Sequence, residues 1–153
     1  MKIPSSLYID SIVEPSICHY KDKTFAPDSP PHFNLLIPVE NNVSLVICIF
    51  TSQVEKRLSF HKDPKTRECL HKVNKNIFKF LSKDTIIDCN SVQHLNKDEL
   101  IGRIEENTFT KIANPLPKEF LSEVIRKILQ SPVVKLEIKG LLRESETINY
   151  ITD

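Results

Sequence analysis

Phe33-Asn34-Leu35-Leu36-Ile37-Pro38-Val39, then Glu40-Asn41-Asn42, then Val43-Ser44-Leu45-Val46-Ile47-Cys48-Ile49-Phe50: this stretch decides the fold. Two apolar runs of strand length flank a polar triplet. Asparagine tolerates positive φ, so the pattern predicts a tight β-hairpin. Pro38 lacks a backbone N–H and belongs near a strand end or on an edge. Downstream, Glu68 to Val73 and Asp84 to Cys89 predict two more strands, the second with the β-branched run Thr85-Ile86-Ile87. Short strands joined by polar connections fit a small curled sheet or barrel.

Working outward, Leu7-Tyr8-Ile9-Asp10-Ser11-Ile12-Val13 predicts a strand, and Lys21 to Pro31 an extended, loop-like connection. Five of the ten prolines fall in the first 31 residues, which marks that stretch as a Pro-rich N-terminal extension. The second half turns helical. Asn96 with Glu99 three residues on is a capping-box start, and Leu100, Ile101 and Ile104 follow at helical spacing. Pro117 to Gln130 predicts a helix with Phe120, Leu121, Val124, Ile125, Ile128 and Leu129 on one face. Ser131-Pro132 reads as the start of a last short helix carrying Leu136, Leu141 and Leu142, against which Gly140 counts.

The 153 residues make one ordinary domain, with 40% hydrophobic and 27% charged residues. With two glycines and neither a GxxxxGK[ST] nor a GxGxxG pattern, the sequence offers no phosphate-cradling loop. The longest strongly apolar stretch, Val43 to Phe50, is far too short to cross a bilayer, so no membrane association is expected. Met1-Lys2-Ile3-Pro4 does not open an apolar secretory core, and the expectation is a cytoplasmic protein. Cys18, Cys48, Cys69 and Cys89 lack close-pair spacing, which argues against a zinc site and for reduced, mostly buried thiols. Neither a metal nor a cofactor is expected.

The net charge of +1 hides an uneven distribution. Between Ser52 and Lys83 stand nine basic residues against three acidic ones, a surplus of +6 that leaves −5 for the remainder. Phe60, Phe78 and Phe80 are interleaved with Lys56, Arg57, Lys62, Lys65, Arg67, Lys72, Lys75, Lys79 and Lys83. Cations for phosphates and rings for bases suit a single-stranded nucleic-acid groove. A solvated, loop-rich surface with its phenylalanines turned inward gives the same composition.

The order of these elements resembles the PemK/MazF-like toxins of type II toxin–antitoxin systems. Phe33 to Val39 is similar to their first barrel strand, and Val43 to Phe50 with Thr51-Ser52 to their second strand and its Thr/Ser ending. Thr85 to Asp88 and Leu100-Ile101-Gly102-Arg103-Ile104 look like the late strand and the segment that closes the barrel. Pro115-Leu116 through Leu129-Gln130-Ser131-Pro132 to Leu141-Leu142 resembles the helical tail of one subgroup. The resemblance covers about residues 32–143 and leaves 144–153 as a tail. It implies an α+β chain: a small SH3-like β-barrel with C-terminal helices, often dimeric. The implied activity is metal-free cleavage of single-stranded RNA, growth-inhibiting and neutralised by an antitoxin protein.

In that chemistry the RNA 2′-hydroxyl attacks the adjacent phosphate, so the protein supplies only a base, an acid and donors for the developing charge. The family uses an Arg at the start of the first strand and the Thr/Ser at the end of the second. Thr51 and Ser52 match the second element. Where Arg-Pro would stand, this chain has His32-Phe33-Asn34. Histidine is a competent acid or base near neutral pH and takes the Arg's role, or else the chemistry is lost with the Arg. Lys56 and Arg57, with Lys62, Lys65 and Arg67 in the following loop, are the candidate phosphate contacts. Thr51-Ser52 also fits an ordinary turn, and His32 an ordinary strand entry. His61, His71 and His94 fall in no motif and suit packing roles, while Asp84 and Asp88 suit holding a base or capping a turn. A barrel without the chemistry remains as a nucleic-acid or protein binding module.

Overall fold

The hairpin forms as expected and organises everything around it. A computed structural model describes residues 4–112 and 116–149. Strands β2 (His32–Val39) and β3 (Ser44–Thr51) pair antiparallel, from Val39 opposite Ser44 to Asn34 opposite Ile49. Glu40, Asn41 and Asn42 all take positive φ, at 53°, 55° and 69°, and Val43 N donates to Glu40 O at 3.1 Å. Strand β1 (Ser16–Tyr20) pairs with β2 only as far as Leu36, so Pro38 lies where that side of β2 is unpaired and its missing N–H costs nothing.

The remaining strands are β4 (Leu70–Val73), β5 (Thr85–Asp88), β6 (Gln93–Asn96) and β7 (Thr110–Lys111). The order across the sheet is β4-β5-β3-β2-β1-β7, with β6 beside β3, and every pairing is antiparallel. Strand β3 is the fork: Ser44 to Ile47 pair with β6, while Phe50 and Thr51 pair with β5. Strands β4 and β7 are the two ends of the order, so the α+β fold has an open sheet and not a closed barrel. The segment expected to close it, Leu100 to Ile104, lies instead in and just after helix α4 (Lys97–Arg103). The capping box explains this: Asn96 Oδ1 accepts from Glu99 N at 2.8 Å, and Glu99 Oε1 accepts from Asn96 N at 3.3 Å.

Both faces of the hairpin are buried, which is why its strands read as continuous apolar runs instead of alternating ones. Leu35, Ile37, Val46, Cys48 and Phe50 face helices α5 (Lys118–Gln130) and α6 (Leu136–Glu144). Helix α5 contributes Phe120, Leu121, Val124, Ile125 and Ile128, the stripe its spacing predicts, and α6 contributes Ile138 and Leu142. On the other face Leu36, Leu45 and Ile47 meet Leu100 and Ile104 together with Ile9 and Ile12. All four cysteines are free and buried, and burial pushes the Cys48 thiol up to about 12.

Two local expectations are corrected. The strand over 7–13 is helix α1 (Ser5–Asp10): Ile9 and Ile12, three apart, are buried while Leu7 and Val13 are exposed, a helical spacing and not an alternating one. Ser131 does not cap α6, which begins only at Leu136. Its N–H ends α5 and its Oγ donates to Asn90 Oδ1 at 2.7 Å. Residues 16–20 of the expected N-terminal extension form β1, and Ile9, Ile12, Ile17 and Cys18 from that stretch belong to the two cores. Lys21 to Pro31 is a connection whose start is tied to residues 103–108 by the bridge from Asp22 to Ile104 and by hydrogen bonds from Lys23 N to Arg103 O at 2.8 Å, from Glu105 N to Lys21 O at 3.0 Å and from Lys21 N to Thr108 Oγ1 at 2.9 Å. Pro115, where the tail resemblance begins, and residues 150–153 lie outside the described residues. No helix among the described residues is long and apolar enough to cross a membrane.

Candidate functional site

The start of β2 and the end of β3 meet at one end of the sheet. Asn34 pairs with Ile49, so carrying the register two residues further brings His32 opposite Thr51. The core helices do not cover this end, and it forms a rim between two cavities, one on each sheet face. His32, Thr51 and Gln53 line both.

The larger cavity is about 620 Å³, and Ile49, Lys56, Arg57, Phe60 and Asp88 complete much of its wall. Lys56, Arg57 and Phe60 come from helix α2 (Val54–Phe60), a short helix with no fully buried residue of its own, while Phe25 and His32 reach the same cavity from the connection before β2 and from its first residue. Val54 and Leu58 are only half-buried, and hydrogen bonds near its two ends add to what holds α2. Before it, Gln53 N donates to Thr51 Oγ1 at 3.2 Å. Beyond it, the buried His61 ring sits 2.6 Å from Asp88 Oδ2 through Nε2, and Arg57 Nη1 reaches the same oxygen at 3.5 Å. Asp88 Oδ1 accepts from Asn90 N at 3.0 Å and from Asn90 Nδ2 at 2.9 Å, and Ser91 Oγ donates to Oδ2 at 3.4 Å. This one carboxylate therefore ties α2 to the end of β5. Phe60 is left 70% exposed, with the Arg57 guanidinium 5.7 Å from its ring centroid.

His32 is half-buried, its ring edge-on to Phe25 at 6.0 Å, and burial lowers its pKa below the ordinary histidine value. A lowered value keeps the ring neutral near pH 7 and able to accept a proton. The Thr51 hydroxyl accepts the Gln53 N–H and keeps its own proton to donate.

Ser52, one residue on from Thr51, faces the second cavity, about 400 Å³, with His19, Phe33, Lys83 and Thr85. His19 packs on Phe33 at 4.4 Å, and its pKa is lowered by burial and then by the neighbouring His32. Lys62, Lys65 and Arg67 are exposed, and none of them lines either cavity. The reason is helix α3 (Pro64–Arg67), which Asp63 caps through Lys65 N at 2.9 Å and which Asn90 Nδ2 anchors through Thr66 O at 2.8 Å. The structure thus joins His32, Thr51, Lys56 and Arg57, and places Ser52 across the rim.

The other histidines have the packing roles their sequence context suggests. His71 is buried against Phe120 and accepts from Lys127 Nζ at 3.0 Å, and His94 bonds Glu40 at 2.8 Å and Ser44 at 3.0 Å. Asp84 caps a turn through Lys75 N at 2.9 Å, while Asp88 holds Arg57 and His61. Sequence reasoning leaves His19, Phe25, Lys83 and Thr85 without an assigned role at the site; their positions follow from strand pairing and loop path, not from a motif. Among the described residues no group of three or more His, Cys, Asp or Glu is placed to hold a metal ion. No family model matches the chain, and no curated protein matches it either.

Proposed function

We propose that the chain is a toxin-like, metal-independent endoribonuclease that cleaves single-stranded RNA, inhibits growth in the cytoplasm and is neutralised by an antitoxin. One observation carries this reading: His32 and Thr51 share a rim whose adjoining cavity presents Lys56, Arg57 and an exposed Phe60. Neutral His32 takes the proton from the 2′-hydroxyl, and that oxygen attacks the neighbouring phosphorus. The bond to the 5′-oxygen breaks, leaving a cyclic phosphate, and the released 5′-oxygen takes a proton from water to become a hydroxyl. Thr51 and Arg57 donate hydrogen bonds to the phosphoryl oxygens as charge builds. Phe60 offers a ring face to a base. The forked β3 strand supports an SH3-like arrangement left open, with the helical tail on one face. The antitoxin covers the basic cavity, and a homodimer is the assembly the resemblance implies.

A specific observation favours a second reading, a non-catalytic nucleic-acid or protein binding module. His32-Phe33-Asn34 stands where the toxins carry Arg-Pro, and Arg57 is already paired to Asp88. The two readings part on one experiment, incubation of the purified protein with single-stranded RNA in EDTA. The nuclease reading expects cleavage that His32→Ala or Thr51→Val lowers by about 100-fold or more, with growth inhibition lost in parallel. Intact RNA, or unchanged cleavage and toxicity in both variants, overturns it.

A further inference from the structure

We propose that the cavity on the opposite face of the rim is a second subsite for single-stranded RNA, holding the phosphate and ribose of the nucleotide adjacent to the one at Lys56 and Arg57. This rests on the RNA reading above. Directly paired residues of an antiparallel sheet share a face, and pairing sets which groups meet here. His19 pairs with Phe33, and Thr51 with Ile86, so one step further Ser52 lies opposite Thr85. His19, Phe33, Ser52 and Thr85 therefore share one face, while His32 and Thr51 share the other.

Three features give this cavity an anion-binding character. Lys83 brings a cation to it, and no Asp or Glu is among its lining residues. Ser52, Ser82 and Thr85 contribute hydroxyls, and His19 a ring nitrogen, the donors that phosphate and ribose oxygens need. Thr85 is 8% exposed, and its Oγ1 is fully buried with no hydrogen-bond partner. Buried hydroxyls without partners are rare in native proteins, and a turn of the Thr85 side chain toward the cavity lets a bound acceptor complete this one. A strand that crosses the rim passes His32 and Thr51 with one nucleotide in each cavity. The bond to be cut then lies between two held nucleotides. A duplex cannot straddle the sheet end in this way, which explains a requirement for single strands.

The test uses 2′-O-methyl oligonucleotides of one to four residues, which cannot be cleaved, in fluorescence-anisotropy titrations with the intact protein. Affinity is expected to rise roughly tenfold from one to two nucleotides. Lys83→Ala removes that step, spares the mononucleotide and lowers the slope of log affinity on log salt by about 0.7. Thr85→Val weakens the dinucleotide while raising the melting temperature, which separates lost binding from lost folding. No step between one and two nucleotides, no binding at all, or a step that both variants preserve overturns the subsite. A Lys83-dependent step without cleavage of ordinary RNA sustains the subsite and removes the nuclease. His32-dependent cleavage with a step indifferent to Lys83 and Thr85 does the reverse.

Discussion

Replacing Asp88 with alanine tests how the site is held in place. The carboxylate is 6% exposed and serves five hydrogen-bond contacts, from His61, Arg57, Ser91 and twice from Asn90. The partners do not suffer equally when it is removed. Asn90 Nδ2 keeps Thr66 O at 2.8 Å, and Arg57, whose side chain is 40% exposed, turns to water and loses under about 1 kcal/mol. The buried Asn90 N–H and the His61 ring nitrogen have no such escape, and each stranded group costs about 1–3 kcal/mol. The sum is on the order of 3–5 kcal/mol, a large fraction of a small domain's stability. Urea titration followed by circular dichroism reads it as a midpoint lowered by about 2 M at unchanged slope. Asp88→Asn keeps an acceptor for Asn90 and loses about half as much. Loss of α2's anchor also releases Arg57 from the cavity wall, so under the proposed nuclease reading RNA affinity falls in both variants. A midpoint within about 0.5 M of wild type for Asp88→Ala refutes the reasoning.

Three further perturbations have definite signs. Gly140 lies inside α6, and a Cβ there meets nothing within 4 Å, so Gly140→Ala stabilises the protein by about 1 kcal/mol in the same titration. Burial, and then the Lys127 ammonium, hold His71 down at about 4, while Glu123 opposes the shift only partly. The unfolded chain takes up that proton near 6.5, so the contribution is fully present above that pH and is lost as pH falls through about 4. Comparing urea midpoints at pH 7 and pH 5, His71→Gln shows a smaller acid-side loss than wild type. Asn41, at a φ of 55°, sits centrally in the left-handed turn: Asn41→Gly leaves thermal stability level or slightly raised, whereas Asn41→Val lowers it by about 1–2 kcal/mol.

The parts of the fold legible in the sequence are those whose signal is local. The hairpin announces itself because Asn41 and Asn42 relieve a strained turn between two buried runs, and α4 because its cap is written in Asn96 and Glu99. Helix α5 shows its stripe because one face alone is buried. Strands β1, β6 and β7 have no comparable signature. Ser16-Ile17-Cys18-His19-Tyr20 is a strand because β2 offers it five partners, with Ile17 and Cys18 pointing into different cores. Gln93 to Asn96 extends only because the first half of β3 lacks a neighbour on that side. Residues 7–13 mislead for the opposite reason: their β-branched content suits a strand, but burying Ile9 and Ile12 together requires a helical turn.

The candidate site divides along the same line. His32 and Thr51 share the rim because the turn at 40–42 fixes the register of β2 on β3, a consequence that follows from the sequence once the turn is placed. The basic block marks a segment but does not say which of its charges share a surface. Of its nine cations, Lys56 and Arg57 line one cavity and Lys83 the other, while the remaining six line neither. What selects those three is the pairing of β5 with β3, because it carries Asp88 to one face beneath Arg57 and Thr85 to the other beside Lys83. A surplus of +6 is a property of composition, whereas a phosphate is held by a few donors at fixed positions. A chain whose net charge is +1 therefore has room for an RNA site, provided the sheet delivers the right few cations to one rim.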